Sequence, residues 1–151
     1  MKTLGNIIWH VPFLGFITAL ITFLWGGFLI ITVIGAPIGL GLIQLSLFLL
    51  SPFSKTMIDK GEIDKHQNPI WKTYGYIVRI FYFPFGLILA ILTIIQIICL
   101  FVTIIGIPIA IILAKSLSTY FNPVNKKCVP SSVANELEQR KAKEYVDNKL
   151  K

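Results

Sequence analysis

The chain has 151 residues, enough for one domain of ordinary size, but 55% of them are hydrophobic and the mean hydropathy is +0.76, which excludes an ordinary soluble globule. No Asp, Glu, Lys or Arg occurs between Lys2 and Lys55, and between Arg79 and Lys126 the only one is Lys115. Each of these stretches exceeds the roughly 20 apolar residues that cross a bilayer core about 30 Å thick, so an integral membrane protein is expected. The net charge of +7 does not argue for nucleic acid, because the basic residues flank the apolar runs, where positive-inside topology accounts for them.

Residues Met1 to His10 form a short polar cap, with Trp9 and His10 at the expected interface. Val11 to Ile34 is the first long apolar segment. Its length, about 36 Å as a helix, is ample for a tilted crossing. The run is far longer than the h-region of a signal peptide and lacks a clear small-residue cleavage site, so it is expected to be retained. The step Gly35-Ala36-Pro37 interrupts it, since Pro lacks an N–H and restrains the residue before it. A second apolar segment, Ile38 to Phe53, reaches only about 24 Å, and Pro52 and Lys55 close it.

Ser54 to Tyr76 is a polar connector with mixed charge. Asp59, Glu62, Asp64 and His66 invite a metal-site reading, but mixed charges on a solvated connector are the simpler one, and neither a metal nor any other cofactor is expected. Trp71, Tyr74 and Tyr76 mark the return to the interface. Apolar segments then run from Ile77 to Ile105 and from Ile107 to Phe121, ending at Asn122-Pro123. In the polar remainder, Ser131 and Ser132 are placed to cap a helix with acidic residues early and basic ones later, the order the helix dipole favours. Cys99 and Cys128 lie in different environments and make no disulfide framework.

The second half echoes the first. Thr32-Val33-Ile34-Gly35-Ala36-Pro37 returns further along as Thr103-Ile104-Ile105-Gly106-Ile107-Pro108. The offset that carries Thr32 onto Thr103 also pairs Gly15 with Gly86, Ala19 with Ala90, Pro52 with Pro123 and Lys55 with Lys126. A fixed-period match of this kind marks a repeated unit. The expected fold is all-α and membrane-integral, in two tandem repeats, each a long transmembrane helix, a Gly-x-Pro break and a shorter apolar helix. The divisions are 1–55 for the first unit, 56–76 for the connector, 77–126 for the second unit and 127–151 for a charged tail, helical or frayed.

Because connector and tail hold most of the Lys and Arg, both are expected in the cytoplasm together with the N-terminus. Each unit is then a helical hairpin turned at Gly-x-Pro on the far face, and the two are parallel repeats. The competing picture makes the short segments surface-lying or re-entrant.

Small residues recur at four-residue spacing, as in Gly35 and Gly39, and Gly106 and Ala110, where they let helix backbones approach. With Pro37 and Pro108 they are expected to break and pack helices. Lys115 is the one ionisable side chain in an apolar span, and Gln44 is its partner at the repeat offset. Lys115, Ser118, Thr119 and Asn122 share one helical face, which could line a polar path for an anion or let Lys115 snorkel to lipid headgroups. No nucleophile–base pair, carboxylate pair or phosphate loop is present, so enzyme activity is not expected.

The doubled Thr-x-x-Gly-x-Pro motif, each copy followed by a short span ending in Pro near Lys55 or Lys126, resembles the YccF-like inner-membrane component family of bacteria over residues 1 to 127. The resemblance implies a small bacterial inner-membrane protein and supplies no reaction, substrate or catalytic residues. Ala36 in the first motif, Gln44 opposite Lys115, and the tail depart from the pattern. Two functions follow as expectations. One is a homo-oligomer that forms or regulates a path for a small solute or anion. The other is a non-conducting scaffold or regulator that binds a membrane protein or anionic lipid through its connector and tail.

Overall fold

The computed structural model describes residues 2–11, 14–63 and 68–150. Asp64, Lys65 and His66 of the connector lie outside the described residues. Among the described residues, six helices and two strands follow in the order α1 (Lys2–His10), α2 (Gly15–Ile31), α3 (Ala36–Leu49), β1 (Lys55–Asp59), α4 (Pro69–Phe101), α5 (Ile107–Phe121), β2 (Lys126–Pro130) and α6 (Ser131–Lys149). Short 3-10 turns at Lys60–Glu62 and Ile104–Gly106 precede α4 and α5.

The two Gly-x-Pro breaks share one side-chain bonding arrangement, although Val33 takes a φ of 60° at the first and a 3-10 turn forms at the second. The Thr32 hydroxyl donates to the Leu29 carbonyl at 2.7 Å and accepts from the Gly35 N–H at 3.2 Å. Thr103 does the same with Leu100 at 3.0 Å and Gly106 at 3.2 Å. One hydroxyl thus serves both the last turn of one helix and a donor at the start of the next, groups that a helix end otherwise leaves unpaired. Pro37 and Pro108 sit in the first turn of α3 and α5, where a missing N–H costs nothing. A Cβ on Gly35 would lie 2.9 Å from the Thr32 hydroxyl oxygen, and one on Gly106 would meet the Thr103 hydroxyl in the same way. Close approach, rather than an unusual φ, is what requires glycine here.

After each break the chain folds back on itself. In the first hairpin Gly39 lies against Gly26, where a Cβ on Gly26 would come within 2.9 Å of the Gly39 carbonyl. The second pairs α5 with the stripe Gly86, Ala90 and Thr93, all buried on α4. Leu45, Phe48 and Leu49 of α3 and Ile112 of α5, with Trp9, Ala19 and Met57, form the buried core. Outside it, Leu20, Leu24 and Phe28 on α2 and Ile80, Phe81, Phe85 and Leu92 on α4 are exposed. Apolar side chains of that number on the outside suit hydrocarbon, not water.

The strands pair antiparallel, from Lys55 opposite Pro130 to Asp59 opposite Lys126. Backbone bonds extend the ladder at each end, Lys60 N–H to the Asn125 carbonyl at 2.8 Å and Ser131 N–H to the Ser54 carbonyl at 3.0 Å. This small sheet is absent from the all-α expectation, which left both segments as connector and tail. Two helices also begin earlier than hydropathy suggests: the N-terminal cap is itself helical, and α4 starts at Pro69, where the Asn68 side chain accepts from the Ile70 N–H at 3.1 Å. The tail forms α6 from Ser131, after Pro130 and with no side-chain cap.

Among the described residues α4 is the one helix long and apolar enough to cross a membrane alone. Its 33 residues reach about 50 Å, against about 21 and 22 Å for the 14 and 15 residues of α3 and α5. The Tyr74 hydroxyl, in the second turn of α4, lies 3.1 Å from the Val33 carbonyl and 3.0 Å from that of Ile34. The first break therefore lies beside the start of α4 and the second follows its end, about 40 Å away along the helix. This differs from two upright hairpins whose breaks share one face: an upright α4 would carry them to opposite faces, and they share one depth only where α4 is strongly inclined.

Candidate functional site

Gln44 and Lys115, the polar pair singled out by the sequence, both reach across to the other half of the chain. The Gln44 Oε1 accepts the Cys128 N–H of β2 at 3.0 Å. The Lys115 ammonium lies 3.4 Å from the Pro52 carbonyl and 5.9 Å from the centre of the Phe53 ring. The first is a well-formed bond to a half-buried backbone group, and the second a long one supported by the ring's electron-rich face.

The rest of the Lys115 face does not share one environment. Lys115 and Ser118 are exposed, whereas Thr119 and Asn122 are buried. Asn122 accepts from the Val124 N–H at 3.2 Å, and Thr119, 1% exposed, holds a hydroxyl with no partner among the described residues. Gly35, Pro37, Gly39, Gly106, Pro108 and Ala110 all lie at the breaks or in helix contacts.

Sequence reasoning missed a second pair of links. The Trp9 indole N–H donates to the Leu49 carbonyl at 2.8 Å, and the Tyr82 hydroxyl donates to the Tyr120 carbonyl at 3.3 Å. Leu49 and Tyr120 are partners at the repeat offset, and an aromatic side chain ties off the end of the short helix in each half. The offset relates the carbonyls but not their donors, because Trp9 and Tyr82 are not offset partners.

It also missed a basic cleft of about 580 Å³ where the N-terminal half of α3, the first turns of α4 and the Asn125–Lys127 run converge. Lys60, Lys72, Arg79, Lys126 and Lys127 line it, and Asp59 is the one carboxylate among the described lining residues. Asp59 lies 3.3 Å from the Lys126 ammonium, whose side chain is only 8% exposed. Trp71, Tyr76 and Leu40 give the cleft apolar wall, and Gln44 borders it. The Cys128 thiol lies close by in sequence, and burial pushes its pKa up, with the charge of Lys55 pulling the other way.

An apolar exterior and a helix of spanning length among the described residues are those of a membrane protein. The family model described as the YccF inner membrane component domain matches residues 4–55, that is, α1, α2, α3 and the start of β1. That is about a third of the chain, and within it lies the first Thr-x-x-Gly-x-Pro break. No curated protein and no solved structure matches the chain.

Proposed function

We propose that the chain holds two copies of one inner-membrane unit, 1–55 and 77–126, clasped at the cytoplasmic surface, and acts there as a non-conducting scaffold or regulator. The connector, 56–76, and the tail, 127–151, supply its polar face. Duplication is supported by the element bounds, since the offset that carries Thr32 onto Thr103 also carries the start of α3 onto the start of α5 and β1 onto β2. The matching threonine bonds at the two breaks support it too. A cytoplasmic polar face is supported by the lysines of β1, β2 and α6.

The observation that carries the scaffold reading is the engagement of Gln44 and Lys115. A conducting path needs its polar groups turned to a wet lumen, where a passing ion exchanges water for them. Here the Gln44 Oε1 accepts the Cys128 N–H, and Lys115 leans on the Pro52 carbonyl and the Phe53 ring. Gln44 ties the halves together, and Lys115 adds a long, exposed contact between them.

Proteoliposomes test this. With wild-type protein, chloride, phosphate and potassium fluxes should equal those of empty vesicles, and Lys115→Leu should change nothing. A flux that Lys115→Leu abolishes would overturn the scaffold reading in favour of a path. In cells, a photo-crosslinker placed on α6 at Glu138 should give a discrete protein adduct that the lipid-facing position Phe85 does not.

A further inference from the structure

We infer that the basic cleft between α3, the start of α4 and the Asn125–Lys127 run is a binding site for the headgroup of an anionic phospholipid, which deepens the scaffold reading and rests on its membrane placement. Five cations from three separate segments converge on one cavity and a single described carboxylate opposes them. Charges of one sign gathered around a cavity repel, and an anion placed among them removes that cost. Asp59 supplies part of the relief through Lys126, leaving the other four cations without a carboxylate among the described lining residues.

The chemistry suits a phosphate ester. Arg79 offers a planar fork that meets phosphate oxygens in pairs, and the lysines add point charges around it. Free phosphate would be far too small for a cleft of about 580 Å³ and would have no use for its apolar walls. Trp71 and Tyr76 are the aromatic types that settle at headgroup depth, with the exposed apolar face of α4, at Ile80 and Phe83, continuing from them toward the spanning part of the helix. A molecule with an anionic head and a hydrocarbon tail satisfies both ends of the cleft, with the phosphate among the cations and the acyl chains along α4.

The test is native mass spectrometry of the purified full-length protein in detergent, titrated with phosphatidylglycerol or phosphatidylcholine of matched chains. Wild-type protein should retain phosphatidylglycerol over phosphatidylcholine by about fivefold or more, the order expected where several basic residues meet an anionic headgroup. Lys72→Gln with Arg79→Gln should erase that preference. Lys143→Gln with Lys149→Gln, which removes the same charge from α6, should keep it. If the cleft variant loses its helical circular dichroism, the single rim change Lys127→Gln carries the test and should lower retention of phosphatidylglycerol alone. Millimolar inorganic phosphate should leave the lipid adducts in place.

Equal retention of the two lipids, an unchanged preference in the folded cleft variant, or an equal loss in the α6 control would each overturn the site. Full displacement by inorganic phosphate would overturn the lipid in favour of a soluble phosphate compound. None of these outcomes depends on whether the vesicles conduct, so failure of the site and failure of the scaffold reading are distinguishable.

Discussion

Met57 and Cys128 face each other at the centre of the β1–β2 ladder, and they stand at the same separation as Thr32 and Thr103, the spacing at which the Thr-x-x-Gly-x-Pro motif recurs. The pairs on either side exchange roles, so that Lys55 meets Pro130 while Lys126 meets Asp59. The bonds flanking the ladder are exchanged in the same way, Lys60 to Asn125 and Ser131 to Ser54. On the duplication reading this is a local two-fold, with each strand meeting the counterpart of itself.

The register is open to a direct check. With Cys99→Ser to remove the other thiol, Met57→Cys should oxidise to an intramolecular disulfide with Cys128, since directly opposed strand residues have Cβ atoms roughly 4.5–5.5 Å apart, near bridging distance. The product should migrate faster on a non-reducing gel. Thr56→Cys, whose side chain points to the other face of the strand, should not form it, and a bridge at that position instead would mean the register is shifted.

Gln44 and Lys115 should differ in what they contribute. Gln44→Leu leaves the Cys128 N–H without its acceptor and should destabilise the folded protein by about 1–3 kcal/mol. Lys115→Met removes only a long contact of an exposed amine and should cost about 1 kcal/mol or less. Unfolding in mixed detergent, followed by circular dichroism, reads both; the reverse order of cost would contradict the tie assigned to Gln44.

Neighbouring glycines on α2 give a sharper contrast. A Cβ on Gly26 would crowd the Gly39 carbonyl and Ile43, whereas one on Gly27 would meet nothing within 4 Å. Gly26→Val should therefore cost about 1–3 kcal/mol through overpacking. Gly27→Ala should be neutral or stabilising by about 1 kcal/mol or less. The same unfolding measurement reads both variants.

Cys128 should be a slow thiol. Its pKa is raised by burial, so the folded protein holds the proton more tightly than the unfolded chain does. The thiolate is the reactive form. Alkylation at neutral pH should be slower than in the denatured protein, and the gap should narrow as the pH rises through the folded pKa. By the same linkage any stability that the retained proton contributes is present at lower pH and lost as pH rises through that value. Alkylation as fast in the folded as in the unfolded state at neutral pH would show that the thiol is not shielded.

The crossing of α4 can be probed at the two breaks. Val33→Cys and Ile104→Cys, each in a background without Cys99 and Cys128, should differ in accessibility to an impermeant thiol reagent applied from one side of the membrane, because Val33 lies beside the start of α4 and Ile104 follows its end. Equal labelling of both from one side would lay α4 along the membrane and remove the crossing assigned to it.

Much of the helical plan was legible. The break at Gly35 and Pro37 and the bounds of α5, Ile107 to Phe121, followed from glycine, proline and hydropathy alone. The early start of α4 was also written in Asn68-Pro69, a capping side chain followed by an N-terminal proline, but the charged connector around it masked the signal. The strands are five residues each and too short for a pattern of alternation to stand out. Their trace was the continuation of the repeat match past the helices to Lys55 and Lys126. Gln44 and Lys115 were visible as polar residues at one depth, but a linear sequence does not distinguish a group that faces a passage from one that ties two segments. The cleft could not be read at all, because its cations, Lys60, Lys72, Arg79, Lys126 and Lys127, are scattered along the chain and meet only after folding.

The strand pairing also imposes an order on synthesis. β1 leaves the ribosome well before β2, and at translation rates of about 5–20 residues per second the roughly 70 residues between them leave its edge unmatched for about 4–14 s while α4 and α5 are made. During that interval the complement a nascent β1 needs, a β2 strand, exists only on chains begun earlier. Crowded synthesis on one messenger therefore favours exchange between neighbouring chains, and slow release of α5 lengthens the window in which it can occur.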